Sequence, residues 1–327
     1  MIKLSINEND AGQRLDRFLK KYLKRAPLSA IYRIVRKDLK INGKRGKEDT
    51  VLREGDELTL YISQERLDEF TGPVKKKTAL RQFKIIYEDD DLMVVDKPRG
   101  LLTHGDSREK KNTLMNQVCG YLQGKGEYDP STEKTFVPSP VNRLDRNTTG
   151  LVIFGKNAGS LRLLTKLIRE RESISKYYLT ILCGDFREKM LLEDTLVKDE
   201  ASNTVAVSDE GGEGKRSVTI VRPLYSNGKF SLVEVELLTG RTHQIRAQLS
   251  AAGYPLAGDA KYGDEKVNRR MKKLGLTNQL LHAYRLTFEN MPEELSQMEG
   301  VELKAPLPGV FEKIGRELLG KGIRNLL

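Results

Sequence analysis

Tryptophan is absent from this chain of 327 residues, and cysteine and histidine are scarce, at two and three copies. Cys119 and Cys183 are far apart and too few to suggest a disulfide framework. His104, His243 and His282 are equally scattered, which argues against the clustered ligands of a zinc-dependent base deaminase. No run approaches the ~18 apolar residues of a membrane span. The opening MIKLSINEND has an acidic flank and no apolar stretch, so no signal peptide is expected. No G-x-G-x-x-G follows a strand pattern, and no G-x-S-x-G elbow occurs. GGEGKR (Gly211–Arg216) is too short for a phosphate loop and lacks its Ser or Thr, so it reads as a solvated turn between strands. Nothing here calls for a metal or other cofactor. The expectation is a cytoplasmic protein with no membrane attachment. With no periodic interface helix, it is expected to be a monomer.

What the chain does have is charge in one place. The formal net charge is +11, and the stretch from Arg14 to Lys47 holds thirteen Lys or Arg against two Asp. That tenth of the sequence carries the whole imbalance. Basic surfaces can serve solubility, acidic membranes or nucleic acid, and a dense local patch on a soluble chain favours nucleic acid.

The patch sits in a short N-terminal domain, residues 1–62. Leu15, Phe18, Leu19 and Tyr22 have helical spacing. Pro27 fits the first turn of a second helix that carries Leu28, Ile31, Ile34, Val35 and Leu39 on one side. Arg33, Arg36, Lys37 and Lys40 mostly face away from that stripe, and Lys44 follows in the strand and turn INGKRG. Leu58, Leu60 and Ile62 alternate as one face of a strand. Two basic helices backed by a small sheet make a module that can grip RNA. A mixed-charge segment at residues 63–82 reads as linker.

A larger domain, residues 83–327, begins at Phe83. Ile85–Tyr87 and Leu92–Val95 flank an acidic turn as a hairpin, and Leu151–Phe154 is a further strand. Asn157 can cap a helix striped by Leu161, Leu164, Leu167 and Ile168. Tyr177, Leu179 and Ile181 alternate along one strand, and Val233, Val235 and Leu237 along another that runs into a short helix containing Ile245 and Leu249. Regular strand–helix alternation is missing, so the expected class is α+β around a mixed, mainly antiparallel sheet.

Four segments are denser in polar detail than a core requires: DKPRGLLTH from Asp96, NRLDRNTTG from Asn142, SKYY from Ser175 and LLTGRTHQIR from Leu237. Asp145 stands between Arg143 and Arg146 in a loop entering an apolar strand. Such an Asp can simply cap a turn or pair weakly with a surface Arg. If the loops converge, a guanidinium would instead hold it ionised and oriented as a nucleophile. Tyr177, in an apolar strand pattern, can be a core tyrosine or a residue facing a substrate base.

The stretch AGQRLDRFL…LSAIYRIVRKDLKINGK resembles the S4 RNA-binding domain over Gly12 to Ile62. The four polar segments together resemble the large-subunit ribosomal RNA pseudouridine synthases that carry an S4 domain, from Gly12 to about Leu307. That resemblance implies a catalytic role for Asp145 and a partner role for Arg246. It implies that Arg143 fills the space left by a flipped uridine. It also implies that Tyr177, taken as the Tyr of a K-x-Y type motif, packs on the base and accepts a proton. Arg241 and His243, in the same segment as Arg246, are expected at the RNA. Arg33, Arg36, Lys37, Lys40 and Lys44 are expected to make phosphate contacts. Lys97, Pro98 and Gly100 match a largely structural motif, as does LHAYRL from Leu281. One departure is Asn142 where the family usually has His, read here as a loop hydrogen-bonding residue. The implied partner is large-subunit ribosomal RNA or an assembly intermediate, and no cofactor is implied. Alternatives are the same chemistry on transfer RNA, a non-catalytic RNA-binding or assembly protein, and a cofactor-dependent base-modifying enzyme.

Overall fold

Helical spacing in the basic stretch produces two helices, and alternating apolar residues on either side of them produce a small sheet. The computed structural model describes residues 1–73, 80–199, 204–208 and 214–320. By internal packing the chain forms two compact units: Met1–Arg81 with Met115–Ser139 and Gly155–Arg162, and Gln82–Leu114 with Pro140–Phe154 and Leu163–Leu327.

The first unit opens with β1 (Ile2–Ser5), α1 (Leu15–Tyr22), α2 (Leu28–Lys37), β2 (Leu39–Ile41), β3 (Glu57–Leu60) and α3 (Gln64–Thr71). The strands lie in the order β1-β3-β2, all antiparallel. Leu15, Phe18 and Leu19 of α1 and Ile31, Ile34 and Val35 of α2 close over Leu58 and Leu60 of β3 in one core. Two positions depart from the expected stripe of α2. Leu28 is 59% exposed, and Leu39 is buried as the first residue of β2 rather than as part of the helix. Asn42 and Gly43 both have positive φ, 48° and 78°, and Ile41 and Lys44 exchange backbone hydrogen bonds around them. That is the tight turn an Asn-Gly pair favours.

The expected linker is structured at its start. Ser63 caps α3 by accepting from the Arg66 N–H, and Leu67 and Phe70 are buried in the core of α1 and α2. The α3 residues between are polar, which made the segment read as linker. Residues 74–79 of that segment lie outside those described. Residues Asn7–Gln13 are fastened to a distant part of the chain beyond α4 (Leu114–Lys125). Buried Asp10 accepts from the Thr135 N–H at 3.2 Å and its hydroxyl at 2.7 Å. Asn9 donates to Glu133 at 2.7 Å and accepts from the Ala158 N–H at 2.8 Å.

The second unit is built on a large sheet. Its strands are β4 (Lys84–Glu88), β5 (Leu92–Lys97), β6 (Ser139–Pro140), β7 (Thr149–Gly155), β8 (Ile174–Cys183), β9 (Met190–Asp199), β10 (Thr204–Ser208), β11 (Lys215–Ser226), β12 (Phe230–Leu237), β13 (Leu281–Phe288) and β14 (Glu302–Lys304). The main path runs β10-β9-β11-β12-β8-β13-β7-β5-β4. Its registered pairs are antiparallel except β13 with β7, which run parallel. This is the mixed, mainly antiparallel sheet expected from the sequence. Of the turn expected at Gly211–Arg216, residues 211–213 lie outside those described, and Lys215 and Arg216 already belong to β11.

Helix α5 (Ala158–Glu170), capped by Asn157 through the Ser160 N–H at 2.8 Å, packs Leu164 and Leu167 against Leu92, Val94, Leu151 and Ile153. Leu179 and Ile181 of β8 face a separate core with Met271 of α7 (Glu265–Lys273) and Phe311 and Ile314 of α8 (Gly309–Leu319). Where β7 meets β13, the chains approach so closely that a Cβ on Gly150 would lie 2.1 Å from the Ala283 carbonyl oxygen. At φ 111°, only glycine fits this point, four residues beyond Arg146. No described helix is long and apolar enough to cross a membrane.

Candidate active site

Asp145 lies in the loop that leads into β7, and three contacts fix that loop from below. The Thr103 hydroxyl donates to the Leu144 carbonyl at 3.0 Å, and the Gly100 N–H donates to the Arg146 carbonyl at 2.9 Å. Lys97 at the end of β5 is fully buried. Its ammonium donates to the carbonyls of Leu101, Arg146 and Pro98 at 2.8, 3.0 and 3.1 Å. Burial pulls its pKa down to about 7, with Asp145 and Asp96 pulling the other way. Three carbonyl acceptors use all three N–H groups of an ammonium, so the charged form is the one that fits. Asn142 bonds its side chain to the backbone of β7, accepting from the Ile153 N–H at 2.9 Å and donating to the Leu151 carbonyl at 3.2 Å. It is a loop fastener, as its type suggested.

The second half of the site comes from α6 (Gln244–Ala251). A buried polar network seats this helix. Gln244 donates to the Val218 carbonyl at 3.1 Å and accepts from the Thr239 hydroxyl at 2.8 Å, while Gln248 donates to Asp194 at 2.7 Å. Buried amides with their partners satisfied specify one helix position rather than a range. The helix thereby delivers Arg246 to Asp145, 101 residues away in sequence, with Nη1 to Oδ2 at 3.0 Å. The other edge of the guanidinium is held by Asp259 in a two-point clamp, Nε to Oδ2 at 2.7 Å and Nη2 to Oδ1 at 2.8 Å. Asp259 is completely buried. Burial alone would raise its pKa, but Arg246 and the backbone N–H groups of Lys261 and Tyr262 hold it below the usual carboxylate range. Arg246 is thus a cation shared between two carboxylates, one sealed and one open, since Asp145 keeps 26% of its side-chain surface.

His243 precedes α6 in a left-handed conformation, φ 52°. Its Nδ1 meets the Tyr262 hydroxyl at 2.9 Å, and that hydroxyl already accepts the Val205 N–H at 2.7 Å. The hydroxyl's own proton is therefore free to go to Nδ1, which leaves the ring proton on Nε2, 3.8 Å from Asp145 Oδ2. Burial lowers the His243 pKa; Asp145 opposes this and Arg246 reinforces it, so the ring is neutral at pH 7.

Asp145 opens into a cavity of about 950 Å³, lined also by Arg143, Arg171, Lys176, Tyr178 and Arg241. A second pocket, of about 50 Å³, brings Asp145 together with Arg143, Tyr178, Arg241, His243 and Arg246. The convergence expected of Asp145, Arg246, Arg143, Arg241 and His243 is therefore present. Tyr177 is not part of it. Successive residues of a strand face opposite sides, and Tyr177 lies under the Arg285 guanidinium, 3.8 Å from its ring centroid. Tyr178 is the tyrosine that lines both spaces. A K-x-Y spacing counted from Lys176 falls on Tyr178, and that count was the available signal. Burial, reinforced by the Asp145 charge, pushes the Tyr178 phenol above its ordinary pKa, so it is an O–H donor at rest.

Asp259, the other residue missed by sequence reading, stands in GDAKYGD with only its acidic character to mark it. Arg33, Arg36, Lys37 and Lys44 are exposed and Lys40 half-buried on the first unit, and none lines this cavity. The Lys40 ammonium sits 5.6 Å from the Tyr61 ring centroid. Among the described residues, no group of three His, Cys, Asp or Glu could hold a metal ion.

A mainly antiparallel sheet that presents an arginine-held aspartate to a basic cavity belongs to the enzymes that isomerise uridine within RNA. The chain is a member of that family, RNA pseudouridylate synthase, which matches residues 91–251. Ribosomal large subunit pseudouridine synthase C of Vibrio vulnificus is 34% identical over 320 residues, 96% of each chain. The protein of that name from Haemophilus influenzae is 35% identical over 319 residues, covering 95% of this chain and 94% of its own. The human RNA pseudouridylate synthase domain containing 4 structure shares the fold. Its TM-score is 0.56 at 23% identity, covering 72% of this chain and 92% of that one.

Proposed function

We propose that the protein converts specific uridines of large-subunit ribosomal RNA to pseudouridine in the cytoplasm, with Asp145 as the catalytic carboxylate. The observation that carries this reading is the clamp Asp259–Arg246–Asp145. It holds one carboxylate oriented and open to a cavity that is otherwise basic. Relatives named for the ribosomal large subunit, matched over nearly the full chain, support the choice of RNA.

The reaction breaks the C1′–N1 bond of uridine, turns the base and joins C1′ to C5. C5 then loses its proton and N1 gains one. Flipping the nucleotide costs a few kcal/mol of stacking. Arg143 offsets this by filling the gap, and Tyr178 by packing on the base. Asp145 acts at C1′, at the ring or on a sugar proton to open the glycosidic bond. Tyr178 relays the C5 proton: protonated at rest, it gives its own proton to water in the cavity as it takes the one from C5, and N1 takes its proton from that water. Neutral His243 and Arg241 contact the nucleotide. Residues 1–62 form an S4-like RNA-binding domain in which Arg33, Arg36, Lys37, Lys40 and Lys44 meet phosphates.

The test is release of tritium from RNA labelled at uridine C5, using separated ribosomal and transfer RNAs. Wild type should release tritium from large-subunit ribosomal RNA without added cofactor. Asp145→Ala should release none while binding that RNA within about threefold, since the carboxylate acts in chemistry rather than affinity. Release from transfer RNA alone would sink the substrate assignment, and an active Asp145→Ala would sink the catalytic one.

A further inference from the structure

Lys176 is two residues before Tyr178 on the same face of β8 and lines the same large cavity as Asp145. It is only 8% exposed, and among the described residues it has no hydrogen-bond or ion-pair partner. The charged group closest in effect is another cation, Arg171, just beyond the end of α5. Glu170 and Glu172 are exposed and do not line the cavity. The Lys176 stem is buried while its ammonium meets the cavity, where the Arg171 guanidinium repels it and a bound anion would relieve that repulsion. Consistently, burial first and Arg171 second pull the Lys176 pKa down to about 8. Among the described residues, no carboxylate or carbonyl pairs with this charge. Lys97, the other buried lysine of the site, satisfies three carbonyls and so has a structural reason to be there.

Resting on the reading above, we propose that Lys176 and Arg171 form an anion site for one RNA phosphate flanking the target uridine. Two residues of strand span about 7 Å, so an anion at Lys176 lies within a nucleotide's reach of a base packed on Tyr178. The cavity, at about 950 Å³, has room for more of the strand than the uridine alone. A phosphate bound there supplies the acceptor that Lys176 lacks and screens it from Arg171. The site holds the RNA strand rather than the base, so it fixes the register in which one nucleotide reaches Asp145.

The test measures binding of deproteinised large-subunit ribosomal RNA to the full-length chain across a potassium chloride series. It compares wild type, Arg171→Gln, Lys176→Gln and the double variant. Each single variant should weaken binding roughly tenfold at moderate salt and lower the slope of log affinity against log salt, and the double variant should lower it by about 0.9 in all. Because both act on the same phosphate, the double variant should lose less than the product of the two. Without RNA, Lys176→Gln should melt at the same temperature as wild type or higher, since it removes a cation that Arg171 repels. A lysine retained for packing would give the reverse. Arg171 is exposed, so its variant tests the site without threatening the fold. An unchanged affinity and slope for Arg171→Gln overturns the proposal. So do fully multiplicative losses in the double variant, which would mean two separate phosphates. Tritium release by wild type in the same preparation separates the two failures. If release is present but the variants bind as wild type does, only the phosphate site falls. If release is absent, the proposed function falls.

Discussion

Tyr177 and Tyr178 are adjacent and chemically identical, and only the pleat of β8 separates their fates. Tyr178 shares the cavity of Asp145, whereas Tyr177 is stacked beneath Arg285 on the opposite face. Tyr178→Phe should therefore lower kcat by about 10²-fold or more, the usual contribution of a positioned proton-transfer group. Tyr177→Phe should stay within about twofold of wild type. Single-turnover rates on labelled ribosomal RNA would check this, and equal losses in the two variants would contradict the assignment. Asp145, Arg143 and Arg246 could be named from sequence because each sits in a motif whose spacing admits one residue. Two tyrosines in succession offered two choices, and an apolar alternation of Tyr177 with Leu179 and Ile181 pointed to the buried core side rather than to the cavity.

At the scale of the element, α6 is less a helix that packs than a mount for one guanidinium. Its apolar residues Ile245 and Leu249 were readable, but the polar network of Gln244 and Gln248 beneath it was not. Amides in a sequence do not announce their acceptors. Asp259 completes the mount, and its side chain acts through Arg246 without reaching Asp145. Asp259→Asn would leave the guanidinium with one anchor and remove a buried charge from its partner. The expected cost is about 3–5 kcal/mol in stability, measured by denaturant unfolding. A drop of about 10²-fold in kcat should accompany it, as misplacement of a catalytic group by about 1 Å produces. KM for RNA should change little, because the surface that meets the strand is intact. A variant that lost stability but retained kcat would show that Asp145 does not depend on this clamp. In the wild type the depressed pKa of Asp259 has its own consequence. The stability it contributes is present above the ordinary carboxylate pKa and is lost as pH falls through the lower folded value.

At the scale of the whole molecule, the excess of positive charge and the proposed catalytic site fall in two different regions of the chain. The excess of Lys and Arg lies between Arg14 and Lys47, and Arg33, Arg36 and Lys37 project from α2 into solvent. Replacing these three with Gln should lower the slope of log affinity against log salt by roughly 3, with binding to large RNA weakened most at low salt. The rate of the chemical step at saturating RNA should stay within about twofold. If the slope is unchanged, the basic helix faces away from the RNA and the N-terminal region has another purpose. Compactness also differs from sequence order here. Ser63–Thr71 belongs to the first core, and the loop from Glu133 to Thr135 is fastened to Asn9 and Asp10.

Sequence by itself determined the class of fold, the place of the charge and the motif in which Asp145 stands. These depend on properties local to a few residues: periodicity, net charge and a motif of fixed spacing. It also determined that Arg246 matters. Only the tertiary structure decided what Arg246 does, because a guanidinium has two edges and Asp259 takes one of them. The pleat of β8 likewise decided which tyrosine faces Asp145, and set Lys176 near Arg171 with no ion-pair partner among the described residues. Each of these depends on directions in space between residues far apart in the chain. A linear order of residue types does not contain them.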